Sequence, residues 1–422
     1  MLGVAALGLA LAACQPAKKA PPAPPLAPPP PELSAPPPGS PTLGQEPVVG
    51  NLDTPWDIAF VPTSLGPTML FTEKRAGTLS RINELGERQV IHTIEVHEVS
   101  ATGTEGVEAA HAGHIESGLM GVAVHPQFAT GKPWIYLSYS TEFDVRVERF
   151  ELDTVTWAIT KTGHFLTGIP FGEIHNGGRI RFQPGTTNLF VTTGDSTSSI
   201  ASQFLGSAGG KVLRVNENLQ AASDNPFYGI QNVDWRVYTF GHRNVQGLAF
   251  GPGGAPYTTE HGPDRNDEVN RLVPGGNGGW DPRHPDDHAT YFQFVPMTDL
   301  AKFPHAMRPV WRSGDDRTLA PSGAEFLEGP QWGSWDGALV VASLKARRLD
   351  VMFLNPDGTI KHTWAEKQIA PVELNGQPRY PRLRAVTLAP DGNSLYVATD
   401  APAAAVGDPY AGEIWKITPT PT

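Results

Sequence analysis

A single cysteine, Cys14, in a chain of 422 residues excludes an intramolecular disulfide. Charge is scarce as well: 18% of the residues are charged and the formal net charge is −11. The basic excess typical of nucleic-acid-binding proteins is missing, which argues against that class. The apolar run at residues 2–13 falls short of the roughly 20 residues that a spanning helix needs. What the chain holds instead is 45 glycines and 42 prolines, a composition of turns and short strands rather than long helices. The length permits one large core or two ordinary ones.

The apolar run ends in Leu11-Ala12-Ala13-Cys14, which resembles the lipobox of bacterial lipoproteins. The resemblance implies a signal peptide over residues 1–14, export to the periplasm or cell surface of a bacterium, and membrane contact through a lipid on Cys14. An ordinary cleaved signal peptide with an incidental cysteine is the alternative, and the run lacks the usual basic start. Residues 15–44 hold 13 prolines among Ala, Ser and Gly. Such a stretch has little to bury and reads as a semi-rigid polyproline tether. The expected organisation is thus a disordered linker over 15–45 and a folded domain over 46–422, starting near Glu46.

From residue 50 onward one pattern returns: a short apolar strand, a Pro/Gly turn, and a second strand rich in Tyr, Phe, Val and Thr. It begins at Trp56, Gly121, Ile180, Leu248, Ala324 and Val386, at a spacing of roughly 60–75 residues. Further strand-like runs lie between the copies, among them Val145–Leu152, Trp157–Thr162, Lys211–Val215 and Arg348–Leu354. Six repeats with room for four strands each predict an all-β protein, a six-bladed β-propeller. The closing strand Glu413–Ile417 is expected to complete a blade begun by the N-terminal strand, which removes two exposed edges.

In a hairpin, the start of the first strand and the end of the second share one end of the sheet. That rule gathers Glu116, His175, His242–Asn244, Thr318, Arg382 and Arg384 with Lys74, Asp195, Glu260–Pro263, Lys345 and Asp400 around one axis. Cations there would hold an anionic ligand, and imidazoles would move protons. Each residue also has a plainer reading. His175 and His242 fit turn histidines, and Arg382 with Arg384 fits a solvated strand edge. Lys345 lies in a basic surface run, Lys345-Ala-Arg-Arg348. Glu116 fits a turn cap, Asp195 and Asp400 fit turn formers, and Asp264, Asp267 and Glu268 fit an exposed acidic loop.

His175-Asn-Gly-Gly-Arg-Ile, Gly241-His-Arg-Asn-Val-Gln-Gly-Leu248, Glu260-His-Gly-Pro with Asp267-Glu268, and Gly275-Gly-Asn-Gly-Gly-Trp280 resemble the soluble pyrroloquinoline-quinone (PQQ)-dependent sugar dehydrogenases. So do Glu116–Phe128, Ser343-Leu-Lys345 and Arg382-Leu-Arg384. This is the glucose/sorbosone dehydrogenase group, which includes bacterial aldose sugar dehydrogenases, and the likeness spans about residues 48–418. The resemblance implies oxidation of aldoses to lactones, with PQQ and Ca²⁺ as cofactors and an external acceptor, a quinone or a cytochrome. His175 would be the general base. Arg243 and Asn244 would contact the quinone carbonyls, with Arg243 stabilising developing charge. Lys345, Arg382 and Arg384 would bind the cofactor's carboxylates, and Thr318 and His261 would face the cofactor. Glu116 and His261 would meet the sugar. The main-chain carbonyls of Gly262 and Pro263 would hold Ca²⁺, Asp267 would support their loop, and Glu268 would serve a second, structural calcium site. Two departures stand out: Gly278 replaces the family's aromatic, and Asp281 replaces its proline after Trp280. A calcium-dependent lactonase and a non-catalytic sugar- or protein-binding propeller are the alternatives, and the fold alone does not choose among them.

Overall fold

In a computed structural model of the chain, residues 24–97, 116–374, 377–401 and 412–420 are described. The apolar leader and Cys14 lie outside them. Six four-stranded antiparallel sheets account for nearly all regular structure, with a small extra hairpin at Val372–Leu374 and Gln377–Arg379. Among the described residues the helical structure is limited to three short 3₁₀ turns.

Each sheet is a blade. Their innermost strands are Pro55–Thr63, Leu119–Val124, Ile180–Phe182, Val245–Phe250, Pro321–Phe326 and Leu383–Leu388, for blades 1 to 6. Each innermost strand packs against the next, and the sixth against the first, so the ring closes. This is the six-bladed β-propeller that the repeat predicts.

Burial along the strands follows from that packing. An inner strand is covered on both faces by neighbouring blades, so Leu339–Ser343 is buried at every position. An outermost strand has one face in water and alternates, as Ile159–Ile169 does. Blade 6 joins the two ends of the chain. Its order from the outside is Thr42–Leu52, Gly412–Thr420, Leu395–Thr399, Leu383–Leu388, with Thr42 opposite Thr420 and Leu52 opposite Gly412. The expected closure by Glu413–Ile417 is therefore observed.

The start of the folded chain needs correction. The first strand opens at Thr42 rather than near Glu46, and from Pro24 the proline-rich segment lies against blades 4 and 5 instead of hanging free. Arg308 donates to the carbonyls of Pro24 and Pro25, at 2.6 and 3.0 Å, and Arg312 Nε to Ala27 O at 3.2 Å. Glu32 pairs with Arg348 at 2.9 Å. Leu33 N reaches Thr363 O at 2.8 Å, Thr363 N reaches Pro31 O at 3.0 Å, and Trp335 Nε1 reaches Ser40 Oγ at 2.9 Å. A polyproline backbone satisfies none of its own carbonyls. That leaves a row of acceptors, which arginines on the blade rims can use.

Candidate active site

The starts of the inner strands and the ends of their partners meet at one end of the axis, as the hairpin rule requires. His175 precedes the inner strand of blade 3 with φ +64°, in the left-handed region that side chains seldom enter. Gly194, at the end of the paired strand, packs so closely that a Cβ there would overlap the His175 carbonyl. That close approach delivers the next residue, Asp195, to the imidazole: Nδ1 of His175 lies 2.7 Å from Asp195 Oδ1. Asp195 Oδ2 accepts from Trp280 Nε1 at 2.8 Å and from the Tyr291 hydroxyl at 3.0 Å. With its Nδ1–H held by a carboxylate, the imidazole keeps its Nε2 lone pair for accepting a proton.

Glu116, at the entry to blade 2, shapes the His175 turn from the other side. Its Oε2 accepts the backbone amides of His175 and Asn176 at 2.9 and 3.2 Å, and Asn244 Nδ2 donates to both carboxylate oxygens at 3.1 Å. Burial alone would raise the Glu116 carboxyl, but the fields of His175, His261 and Arg384 outweigh it and hold the group below its ordinary value. Gln246 passes the network on, donating to Glu116 at 3.2 Å and accepting from Arg384 Nη1 at 2.9 Å. Arg384 and Arg382 both bond Asp400, at 3.0 and 3.2 Å. Burial would raise Asp400 too, yet Arg384, Lys74 and Arg382 keep it well below the usual carboxylate range.

On blade 4, Glu260 binds the Arg243 backbone amide through Oε1 and faces His242 Nδ1 at 2.9 Å through Oε2. His242 is thereby a buried structural histidine that fixes the turn on which Arg243 sits. The Arg243 guanidinium donates from Nη1 to the carbonyls of His261 and Gly262, at 3.1 and 3.0 Å, and lies 5.7 Å from the Trp280 ring centre. Its Nε is buried without a partner, and so is His261 Nε2. Burial pushes the His261 imidazole down to about 3, with Glu116 opposing and Arg384 and Arg243 adding to the fall. His261 is therefore a neutral imidazole at any working pH.

Asp267 stitches this loop to blade 5. It accepts from Gly262 N at 3.0 Å, Thr318 Oγ1 at 2.9 Å, Leu319 N at 2.6 Å and Ala320 N at 3.0 Å. Those bonds occupy its oxygens with the protein's own donors. Glu268 sits one strand behind, bonded by Thr298 Oγ1 at 2.7 Å and Asn270 Nδ2 at 3.2 Å. Burial and then the Glu260 charge push its carboxyl up to about 8. Lys345 stands exposed on the turn after Leu339–Ser343, its amide bonded to Leu319 O at 3.0 Å.

The structure thus joins Glu116, His175, Arg243, Asn244, His261, Gly262 and Arg384 in one contiguous set, with Thr318 and Asp267 beside it and Arg382 on its edge. Glu268 belongs to a separate cluster. Sequence reasoning gathered Asp195 and Asp400 at this end of the axis from their place directly after a second strand, with turn formers as the plainer reading, and the structure sets them against His175 and Arg384. Tyr291 and Gln293, whose Oε1 accepts from Arg243 Nη2 at 3.4 Å, carried no such sign. They arrive from a long loop outside the repeat.

A family model described as glucose/sorbosone dehydrogenase matches residues 52–407. Quinoprotein glucose dehydrogenase B of Acinetobacter calcoaceticus is 27% identical over 430 residues, with 84% of each chain covered. The aldose sugar dehydrogenase YliI of Escherichia coli strain K12 is 29% identical over 392 residues, covering 90% of this chain and 93% of its own. Among solved structures, a PQQ-bound aldose sugar dehydrogenase from Streptomyces coelicolor aligns with a TM-score of 0.62 at 26% identity, over 90% of this chain and 99% of that one. The soluble aldose sugar dehydrogenase of Escherichia coli in its apo form gives 0.67 at 26% identity, over 90% and 100%. With the match running through nearly the whole propeller, the chain belongs to the glucose/sorbosone dehydrogenase family.

Proposed function

We propose that this protein is a PQQ- and calcium-dependent dehydrogenase that oxidises aldose sugars at the anomeric carbon to lactones and passes the electrons to an external acceptor. The observation that carries the reading is the His175–Asp195 pair, set at the end of the axis where Arg243 and His261 hold buried polar atoms without partners.

Those unpartnered atoms fit the cofactor. Arg243 Nε needs an acceptor, which a quinone or carboxylate oxygen supplies. Arg384, Arg382 and Lys345 would hold carboxylates, for which the guanidinium fork suits the two arginines, while Asn244 and Thr318 would take polar positions around the ring. The carbonyl of Gly262 has a second lone pair beyond its bond to Arg243 and, with that of Pro263, offers the hard oxygen ligands that Ca²⁺ takes. Asp267 would keep these carbonyls in place, and Glu268 would serve a separate structural ion.

When bound, the quinone supplies the hydride acceptor and Ca²⁺ the Lewis acid. His175 would take the proton of the anomeric hydroxyl onto Nε2, which prepares the same carbon to give up its hydride to that acceptor and become the lactone carbonyl. Asp195 keeps the ring in the Nδ1–H tautomer and stabilises the imidazolium that results. Arg243 stabilises the negative charge that develops opposite. Glu116 positions His175 through its backbone amide and, with the neutral His261, presents polar groups to the sugar.

The test is dye-linked oxidation of an aldose panel by purified protein, with and without PQQ and Ca²⁺. Turnover that needs both is the expected outcome. Absence of quinone binding in an absorbance titration would overturn the reading. Export and anchoring through Cys14 are part of the proposal, supported by the lipobox-like sequence. Cys14→Ser should move the protein from the membrane fraction to the soluble fraction, and unchanged partitioning would remove the anchor.

A further inference from the structure

The loop between strands Glu268–Arg271 and Trp311–Arg312 of blade 4 leaves the sheet and returns Tyr291 and Gln293 to the axis. Nothing in the strand repeat requires this. Asp195 is fully buried and its oxygens are shared among four donors. Oδ1 takes His175 Nδ1 at 2.7 Å and Thr197 N at 2.9 Å. Oδ2 takes Trp280 Nε1 at 2.8 Å and Tyr291 Oη at 3.0 Å. The Tyr291 oxygen also lies 3.4 Å from His175 Nδ1, so it sits over the bond between base and carboxylate.

We propose that Tyr291 is a positioning residue that sets the strength of His175 as a base by drawing charge from Asp195. A carboxylate that accepts at Oδ2 is a weaker acceptor at Oδ1, and the imidazolium beside it is less stabilised. Burial and then the Asp195 charge push the Tyr291 phenol above its ordinary value, so it stays a donor throughout the working range. Trp280 makes the same kind of bond from a ring with no exposed surface. Tyr291 is the half-buried donor of the two, carried on a loop that can vary while the blades stay fixed. The other charged or titratable groups facing His175 are Glu116 and His261, with Arg243 beyond Tyr291. Tyr291→Phe leaves Glu116 and His261 in place, and at Arg243 it removes only the phenol's own hydrogen bond to the guanidinium.

The proposal rests on the reading of His175 as the base, so its test has an arm that does not depend on turnover. Tyr291→Phe keeps the ring and removes one donor. The acid limb of its kcat–pH profile should move up by about half a pH unit, with the sugar KM within about two-fold of the parent. A limb that stays in place overturns the proposal. A raised KM at unchanged kcat overturns it too, because Tyr291 would then be a sugar contact. In the second arm, the ring ¹⁵N resonances of His175 are followed against pH in cofactor-free protein. They should shift in the same direction in the variant, and coincident curves overturn the proposal. A parent protein that oxidises no aldose in the presence of PQQ would remove the dehydrogenase reading and leave this second arm to decide.

Discussion

Replacing His175 by alanine should lower kcat by about 10²–10⁴-fold, the usual contribution of a positioned general base, with quinone binding retained. Steady-state dye-linked kinetics and an absorbance titration measure the two separately, and equal losses in both would make His175 a cofactor ligand instead. A second residue lies outside the chemistry altogether. Lys211 is fully buried and donates to the carbonyls of Ala201, Ser202 and Gly209, at 2.7, 3.0 and 2.7 Å. It ties down the loop from which Ser202 Oγ reaches the His242 carbonyl at 2.8 Å. Burial pushes its amine down from 10.5 to about 7. Between those values the unfolded chain binds the extra proton, so this group makes the fold more stable as pH rises through the window. Lys211→Met should orphan three carbonyls, cost about 2–4 kcal/mol, and abolish that rise. Urea unfolding at about pH 7 and about pH 9.5 checks both.

At the scale of elements, what the sequence made legible was whatever the repeat carries. Inner strands, their partners and the polar residues at their shared ends all follow from one period and one hairpin rule, which is why His175, Arg243, Asn244 and Arg384 could be gathered in advance. The rest depends on loops. Tyr291 has no counterpart at a repeat position, and a 3.0 Å bond to a carboxylate almost a hundred positions earlier leaves no trace in local spacing. The proline-rich segment misled for a different reason. Its composition rules out a core of its own but not an outer surface to lie on, and the surface is supplied by arginines more than 280 positions away. Deleting residues 24–40 should lower the melting temperature by a few degrees with kcat unchanged, since the contacts are mostly exposed and screened. An unaltered melting temperature would return this segment to the status of a free tether.

For the whole molecule, closure is the decisive element of stability. A chain stopped after Ala411 lacks Gly412–Thr420, which pairs on one side with Leu395–Thr399 and on the other with Thr42–Leu52. Two strands would then present open edges, and the expected product is insoluble or rapidly proteolysed. Soluble truncated protein with a native circular-dichroism spectrum would contradict this.

The same pairing sets Thr42 directly opposite Thr420, so the two ends of the ring lie side by side in one blade. A short turn joining these two residues, with new termini cut at the Gly185 turn of blade 3, would give a circular permutant whose six blades are all made of contiguous sequence except the one newly opened. The place where the ring is fastened could thus be moved around the axis, and with it the order in which blades emerge from a ribosome or a translocation pore.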